Sequence, residues 1–242
     1  MSTISPEVLE KLRTFDTPTI CNLIELFEVR PRNTGYMDAR IRACFPEMPP
    51  TVGFAATATF RSSAPPREGD AYASTGVQVD RFGELSGPPV IVFQDLDDPS
   101  VAATFGEVMC TTYQAFGAVG LVTTGTGRDL DQVRAIGFPA FTNGAVCAHG
   151  YCHILHVHVP VHVGGITVYP DDLLHGDLNG VTTIPHEIVA ELADIGDEFV
   201  AAEAIILESM RDGPPSIQKL REARAESAAR VARFREQVSR AR

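Results

Sequence analysis

Short apolar runs that alternate with segments of helical spacing constrain the fold of this chain more than any other feature. Three of the runs have the length and composition of buried strands: Val52–Phe60, Pro89–Gln94 and Ala118–Thr123. A helix is predicted over Val101–Phe116, and another from Asp129 to Ile136, where Gly137 and Pro139 give a stop signal. Strand–helix–strand–helix alternation predicts an α/β core.

Segments outside this core extend the prediction to both ends of the chain. Residues 5–28 have helical spacing, with Thr17 as a cap and Pro18 at the first helical position. Short strands are expected at Cys152–Val159 and Gly180–Ile184, with turns at 163–166 and 169–172 between them.

The C-terminal part of the chain is predicted to be helical. An apolar stripe at helical spacing begins after Pro185, and the sequence Asp212-Gly213-Pro214-Pro215 ends it. A more polar helix is expected over 216–238. We therefore expect residues 1–210 to form one α/β domain and residues 211–242 a helical extension.

Charge and hydropathy exclude several classes of partner. The chain has 20 Lys and Arg against 31 Asp and Glu, a net charge of −11, which disfavours nucleic acid as a partner. No run approaches the roughly 20 apolar residues of a membrane span, so no membrane partner is expected. No signal-peptide pattern is present at the N-terminus, so we expect a cytoplasmic protein. Its five cysteines are an odd number, which indicates reduced thiols rather than a disulfide framework.

Lysine is unusually scarce. The chain has only Lys11 and Lys219, and both lie in predicted terminal helices. A Schiff-base enzyme needs a lysine in its pocket. If this protein stabilises an enolate, we therefore expect it to use a metal ion.

The loop from Thr124 to Asp129 (TGTGRD) follows an apolar strand and precedes a helix. It is not a dinucleotide fingerprint, because Leu130 occupies the place of the third glycine. Arg128 could bind a carboxylate through its donor fork, and Asp129 could bind Mg²⁺ or Mn²⁺. A purely structural alternative is equally consistent with the spacing: Asp129 would cap the helix and Arg128 would pair with Asp131.

Two further groups of residues are candidates for a site. Glu107, within Phe105–Met109 near a predicted helix start, could reach a metal-bound water, or could simply favour the helix dipole. Residues 147–162 are rich in Cys and His but lack paired zinc-ligand spacing. We expect His149 or His153 to lie near a pocket rather than to belong to a zinc site.

The combined motifs of the chain, taken over residues 15–210, resemble the RraA-like family. That family includes class II pyruvate aldolases acting on 4-hydroxy-4-methyl-2-oxoglutarate and 4-carboxy-4-hydroxy-2-oxoadipate, and the regulator of ribonuclease activity A. The matching residues are Gly117–Val122, Gly127-Arg128-Asp129, Val133–Phe141, Pro160–Leu173 and Gly176–Val181, with Gly69-Asp70 and Phe105-Gly106-Glu107 upstream.

The resemblance implies an α/β fold of the β/β/α swivelling-domain type, assembled as homotrimers or hexamers with sites between subunits. The helical spacing adds N-terminal helices and a C-terminal helical extension to this core. It implies that Arg128 holds the pyruvyl carboxylate and steadies an enolate. Asp129 would bind the metal, with Glu107 touching its waters. The backbone of Gly106, Glu107, Val108 and Met109 would bind the same carboxylate. Glu203 from a neighbouring subunit would complete the metal site.

The activity implied is a Mg²⁺- or Mn²⁺-dependent lyase that cleaves a small-molecule 2-keto acid through a pyruvate enolate, by retro-aldol cleavage or by decarboxylation of oxaloacetate. Two alternatives stay open. One is a non-catalytic, protein-binding regulator of the RraA type. The other is a diverged keto-acid lyase or hydrolase that uses the His/Cys-rich strand. Three features depart from the family pattern: Gly69-Asp70-Ala71-Tyr72 replaces its Gly-Asp-Asn stretch, Phe141–Val159 carries extra His and Cys residues, and the helix after Pro214 extends beyond the usual end. Because these changes surround the expected pocket or interface, a different keto acid is a candidate substrate.

Overall fold

An eight-stranded mixed sheet forms the centre of the computed structural model, which describes residues 4–67 and 74–240. The strands, with the short pairs outside the sheet, are β1 (Arg42–Ala43), β2 (Thr51–Arg61), β3 (Pro89–Asp95), β4 (Ala103–Phe105), β5 (Gly120–Thr123), β6 (Thr126–Gly127), β7 (Ala140–Thr142), β8 (His153–Val157), β9 (Val161–Val163), β10 (Ile166–Val168), β11 (Leu173–Asp177) and β12 (Gly180–Ile184). The helices are α1 (Pro6–Leu12), α2 (Thr17–Phe27), α3 (Ser74–Val79), α4 (Glu107–Ala115), α5 (Leu130–Ala135), α6 (Val189–Arg211) and α7 (Ile217–Val238).

The sheet is parallel in its middle and antiparallel at both sides. Its order is β1-β7-β5-β3-β2-β11-β12, and the four strands β2, β3, β5 and β7 run parallel. The first half of β2 pairs with β11 and its second half with β8, both antiparallel. The predicted α/β class is confirmed, and the strands predicted in the core all lie in this parallel centre.

Both faces of the central strands are buried, which explains their continuous apolar sequences. Along β3, Ile91 and Phe93 pack with α4 and α5 on one face, whereas Val90 and Val92 face the β9–β10 hairpin on the other. A third cluster joins β11 and β12 to α1, α2 and α6.

The predicted turn at 163–166 is confirmed as the two-residue turn of the β9–β10 hairpin. Gly164 and Gly165 have φ of 57° and 78°, the left-handed conformation that such turns require at both central positions. Glycine is the residue that adopts it without strain.

Two predicted helices differ from the structure. The segment Val101–Phe116 is not helical throughout, because β4 occupies Ala103–Phe105 and pairs with β6 before α4 begins. Residues 5–28 form two helices, not one, and the cap of the second is Asp16, whose Oδ1 accepts the N–H of Thr19 at 2.8 Å. Thr17 is therefore the first helical residue and not the cap.

The two C-terminal helices are confirmed, with the break at Asp212–Pro215 between them. The chain after α7 returns to α2, where the N–H of Arg240 donates to the carbonyl of Phe27 at 2.7 Å. The division into a domain of residues 1–210 and an extension of 211–242 stays a prediction. None of the helices in the described part of the chain is long and apolar enough to cross a membrane.

Candidate active site

The carboxyl ends of the parallel strands meet at one edge of the sheet, where sites of open α/β sheets usually lie. The loop after β5 carries Arg128 and Asp129 at this edge. Because β6 pairs with β4, the N–H of Arg128 donates to the carbonyl of Phe105 at 3.1 Å. This pairing places Arg128 and Asp129 directly against Gly106 and Glu107.

Asp129 turns its carboxylate toward the start of α4. The residue has φ 52° and ψ 37°, an unusual left-handed conformation for an aspartate. Its Oδ2 accepts the backbone N–H of Glu107 at 3.1 Å and lies 3.7 Å from Nε of Arg128. The purely structural alternative requires Asp129 to cap helix α5, but its side chain makes no capping hydrogen bond there.

Arg128 does not pair with Asp131, which the structural alternative also requires. Asp131 pairs instead with Arg134, at 2.8 Å, and Arg134 also contacts Glu47 at 3.0 Å. Both Arg128 and Asp129 are about one-third exposed, so each is partly desolvated yet accessible to a ligand.

The N-terminus of α4 has room for an anion. Gly106 is its N-cap residue and has no side chain to cap the N–H groups of Val108 and Met109. A Cβ atom at position 106 would lie 2.6 Å from Oδ2 of Asp129, so glycine here leaves the space that the Asp129 carboxylate occupies. Backbone donors and the helix dipole favour a carboxylate here.

A cavity of about 520 Å³ opens beside Arg128. Its lining includes the predicted residues Gly106, Val108, Met109 and His149. A second, smaller cavity of about 310 Å³ is lined by Arg128, Asp129 and the exposed Cys147. Arg128 therefore faces both spaces.

Glu107 and Glu203 line neither cavity. Glu107 is the first, exposed residue of α4. Glu203 lies on α6, where its Oε1 accepts a long hydrogen bond of 3.5 Å from Asn22 of α2. Burial and the nearby charge of Asp16 raise the pKa of Glu203. The Gly69–Tyr72 stretch lies outside the described residues.

The histidines of residues 147–162 do not converge. His153 contacts the carbonyl of Tyr151, whereas His156 contacts Oγ1 of Thr59. His158 lies beyond the end of β8 and faces Glu84. Within residues 4–67 and 74–240, no three His, Cys, Asp or Glu side chains are grouped closely enough to hold a metal.

Two residues at this edge were not predicted as site residues. Asp95 ends β3, and its buried Oδ2 has no hydrogen-bond partner in the described part of the chain; burial raises its pKa. An acid directly after a buried strand is the signal that could have identified it. Cys152 lines the larger cavity, and burial raises the pKa of its thiol to about 11.

Comparison with known proteins gives a family match. The family model described as RraA-like: Aldolase/RraA matches residues 17–183. A protein of Halalkalibacterium halodurans named "Putative 4-hydroxy-4-methyl-2-oxoglutarate aldolase" is 31% identical over 101 residues, which are 41% of this chain and 48% of that protein. The chain thus matches about half the length of this relative.

Solved structures show the same fold. An uncharacterised protein of Pseudomonas syringae pv. tomato has a TM-score of 0.69 at 23% identity, covering 93% of this chain and all of that one. Streptomyces coelicolor RraAS2, described as an unusual member of the RNase ES inhibitor RraA family, has a TM-score of 0.66 at 21% identity, with 87% and 99% coverage. From the extent of the family match and the shared fold, this chain belongs to the RraA-like family.

Proposed function

We propose that this protein is a divalent-metal-dependent lyase that releases pyruvate from a pyruvyl-containing 2-keto acid. The reaction is retro-aldol cleavage, decarboxylation of an oxaloacetate-type substrate, or both, because both pass through the enolate of pyruvate. The relative named as an aldolase supports the reaction class.

One observation carries the proposal: the Asp129 carboxylate and the Arg128 guanidinium meet at the N-terminus of α4. Oδ2 of Asp129 is held by the Glu107 N–H at 3.1 Å and lies near Arg128. A site for the substrate carboxylate and a carboxylate ligand for a metal thus lie side by side. This is the pair of functions that a metal-dependent keto-acid lyase needs.

The described residues of one protomer offer only part of a ligand set for a hard divalent cation, since no three His, Cys, Asp or Glu side chains are grouped there. Both contacts of Asp129 are made by Oδ2, which leaves Oδ1 for a metal. Glu107, whose backbone N–H holds Asp129, has an exposed carboxylate of its own, and carboxylate oxygens are the ligands that Mg²⁺ and Mn²⁺ prefer. A bound cation would act as a Lewis acid toward the 2-oxo group of the substrate.

The chain's own donors would bind and orient the substrate carboxylate. Arg128 offers a bidentate fork, and the N–H groups of Val108 and Met109 point from the start of α4. The Arg128 charge and the backbone N–H dipoles are in place before the C3–C4 bond breaks, so they would stabilise the negative charge that develops on the pyruvyl fragment.

Schiff-base chemistry does not fit the positions of the two lysines. Lys11 pairs with Asp197 at 2.6 Å, and Lys219 lies in the first turn of α7 beside Asp212. Neither residue lines a cavity that contains Arg128.

We propose that the active protein is a cytoplasmic homotrimer or hexamer whose sites lie between subunits. Glu203 lines neither cavity of its own protomer, so its proposed contribution to a metal site would come from a neighbouring subunit.

Pyruvate release tests the proposal directly. Oxaloacetate and 4-hydroxy-4-methyl-2-oxoglutarate would be supplied with Mg²⁺, with Mn²⁺ and with chelator, for the wild-type protein and Asp129→Ala. The control is Asp131→Ala, the neighbouring aspartate that is 91% exposed and pairs with Arg134. We expect metal-dependent release that is lost only in Asp129→Ala. Absence of release from folded protein with either metal would overturn the proposal and favour a non-catalytic regulator.

A further inference from the structure

Asp95 ends β3 as a buried acid that the proposed reaction does not use. Its side chain is buried among the strand ends. Oδ1 accepts the N–H of Asp97 at 3.0 Å, whereas Oδ2 is buried and has no hydrogen-bond partner in the part of the chain that the structure describes. A buried carboxyl oxygen without a partner loses its hydration, which is energetically costly. The position of this acid therefore needs a physical explanation.

The loop that leads to the candidate site lies directly against Asp95. The N–H of Asp95 donates to Oγ1 of Thr124 at 2.9 Å, and the N–H of Thr124 donates to the carbonyl of Phe93 at 3.1 Å. A Cβ atom on Gly125 would lie 2.8 Å from Oδ2 of Asp95. The carboxyl group of Asp95 thus packs against the backbone of Gly125 and joins the end of β3 to this loop.

Buried threonines hold Gly125 on its other sides. Oγ1 of Thr123 accepts the N–H of Gly125 at 2.9 Å, and Oγ1 of Thr142 in β7 donates to its carbonyl at 2.7 Å. Oγ1 of Thr104 in β4 lies 3.0 Å from Oγ1 of Thr123. These hydroxyls fix the loop to β4, β5 and β7, and Asp95 supplies the contact on the side of β3.

Arg128 and Asp129 follow Gly125 by only three and four residues. Two hydrogen bonds set their place: the N–H of Arg128 donates to the carbonyl of Phe105, and Oδ2 of Asp129 accepts the N–H of Glu107, each at 3.1 Å. Both bonds require the loop to leave β5 in one direction. A displacement of about 1 Å in a catalytic group can lower the rate about 100-fold, so the start of this loop matters to the proposed site.

We propose that Asp95 is a positioning residue of the site: its side chain packs against Gly125 and fixes the loop that holds Arg128 and Asp129 against α4. The inference rests on the proposed function only for what those two residues do. The role is one of shape and not of charge. Burial raises the pKa of Asp95, against a hydrogen bond from Ser100, so the neutral form is favoured more than it is in water. An uncharged side chain of the same size should therefore serve as well.

Amide exchange of the whole chain tests the positioning without requiring catalysis. In Asp95→Ala, peptides covering residues 104–110 and 125–131 should exchange at least about tenfold faster by mass spectrometry, because the bonds of Arg128 and Glu107 open more often. The β11–β12 hairpin, at the far side of the sheet, should exchange as in the wild type. Asp95→Asn keeps the size and the acceptor for the Asp97 N–H, so it should stay within about threefold of the wild type.

Asp98→Ala is the control for these variants, because Asp98 is an exposed acid of the same loop. It should leave both peptides unchanged. Unchanged exchange in Asp95→Ala would overturn the proposal. Faster exchange that extends equally to the β11–β12 hairpin would do the same, because it would show a general loss of stability. Equal acceleration in Asp95→Asn and Asp95→Ala would reject a role of shape.

Thr124 gives a second, milder pair of variants at the same contact. Thr124→Val keeps the shape of the side chain but removes the oxygen that accepts the N–H of Asp95, whereas Thr124→Ser keeps that oxygen. Exchange of the 125–131 peptide should be faster in the valine variant than in the serine variant by at least about threefold. Equal exchange in the two variants would contradict the role of this contact.

Mn²⁺ affinity and pyruvate release separate this inference from the proposed function. Asp95→Ala should lower the Mn²⁺ affinity and kcat/KM at least about tenfold, and Asp95→Asn should restore both. Local exchange at Arg128 and Glu107 in Asp95→Ala, with no pyruvate release by the wild type, would reject the lyase and retain the positioning role. Wild-type release and Mn²⁺ affinity in Asp95→Ala would retain the lyase and reject the positioning role.

Discussion

The carboxylate of Asp129 accepts the backbone N–H of Glu107 at 3.1 Å, although 22 residues separate the two in sequence. This bond links the loop after β5 to the first turn of α4. It holds the proposed metal ligand and the proposed carboxylate site in a fixed relation. A carboxylate that satisfies an N–H at a helix start is also favoured by the helix dipole.

Gly106→Ala should disrupt this relation. Its Cβ would lie 2.6 Å from Oδ2 of Asp129, so the carboxylate must move away from the Glu107 N–H. The backbone of Gly106 is extended, so alanine introduces no backbone strain. We expect Mn²⁺ affinity and metal-dependent turnover to fall at least about tenfold, since misplaced catalytic groups commonly cost that much.

Gly83→Ala is the matched control for this variant. A Cβ atom at Gly83 has no heavy atom within 4 Å, and the residue is exposed. Calorimetric titration of Mn²⁺ and steady-state turnover should be unchanged for it. Wild-type metal affinity in Gly106→Ala would show that the contact with Asp129 is not needed for metal binding.

Arg128→Lys tests whether the guanidinium fork or only its charge matters. Lysine keeps the charge but loses bidentate geometry, so kcat/KM should fall by about 10- to 100-fold, near the lower end of measured losses for a transition-state donor. Arg134→Lys is the control, because Arg134 lies on the neighbouring helix in a surface pair with Asp131. Steady-state kinetics on a substrate that the wild type cleaves measures both. Equal losses in the two variants would argue against a specific role for Arg128.

The central sheet could be predicted from sequence because its strands are apolar on both faces. Val90 and Ile91 pack on opposite sides of β3, and both are buried, so a continuous apolar run marks the strand. The turn at Gly164-Gly165 could also be predicted, because its conformation depends only on these two neighbouring glycines.

The approach of Arg128 to Gly106 could not be predicted by the same means. It depends on β4, a three-residue strand that pairs with the two residues of β6 far along the chain. Local spacing in Val101–Phe116 favoured a helix, and tertiary pairing overrode it. The left-handed backbone of Asp129 has no signal in the sequence either, because glycine normally marks that conformation.

Tyr113→Phe should destabilise the packing of α3 and α4 against β2. The hydroxyl of Tyr113 donates to Oε1 of Gln78 at 2.6 Å, and Nε2 of Gln78 donates to the carbonyl of Ala56 at 2.9 Å. Both side chains are fully buried, so the variant leaves the Gln78 oxygen without a donor. A loss of about 1–3 kcal/mol in the free energy of unfolding is expected.

Urea unfolding of Tyr113→Phe and of Tyr169→Phe measures this effect. Tyr169 is 56% exposed, so removal of its hydroxyl should change stability by less than about 0.5 kcal/mol. Equal stability of the two variants would mean that the Gln78 contact contributes nothing net to folding.

Stability should also fall with pH below neutrality because of His175. Its Nδ1 faces Oγ1 of Thr17 at 2.9 Å and its Nε2 faces the carbonyl of Leu12 at 3.1 Å, partners that suit a neutral ring with the proton on Nε2. Burial lowers the pKa of His175, against opposing contributions from the Leu12 carbonyl and Asp177. The unfolded chain therefore binds a proton more readily than the folded protein does.

The sign of the effect follows from this difference in proton binding. Above the unfolded pKa of about 6.5 both states are neutral, so the contribution of His175 to stability is complete. As pH falls below that value the unfolded state is protonated first, and stability declines until the folded pKa is reached. Urea unfolding between pH 7.5 and 5.5 measures the decline, and His175→Gln should reduce its slope, whereas His162→Gln, at an exposed position, should leave it unchanged. An identical slope in wild type and His175→Gln would show that His175 does not contribute to it.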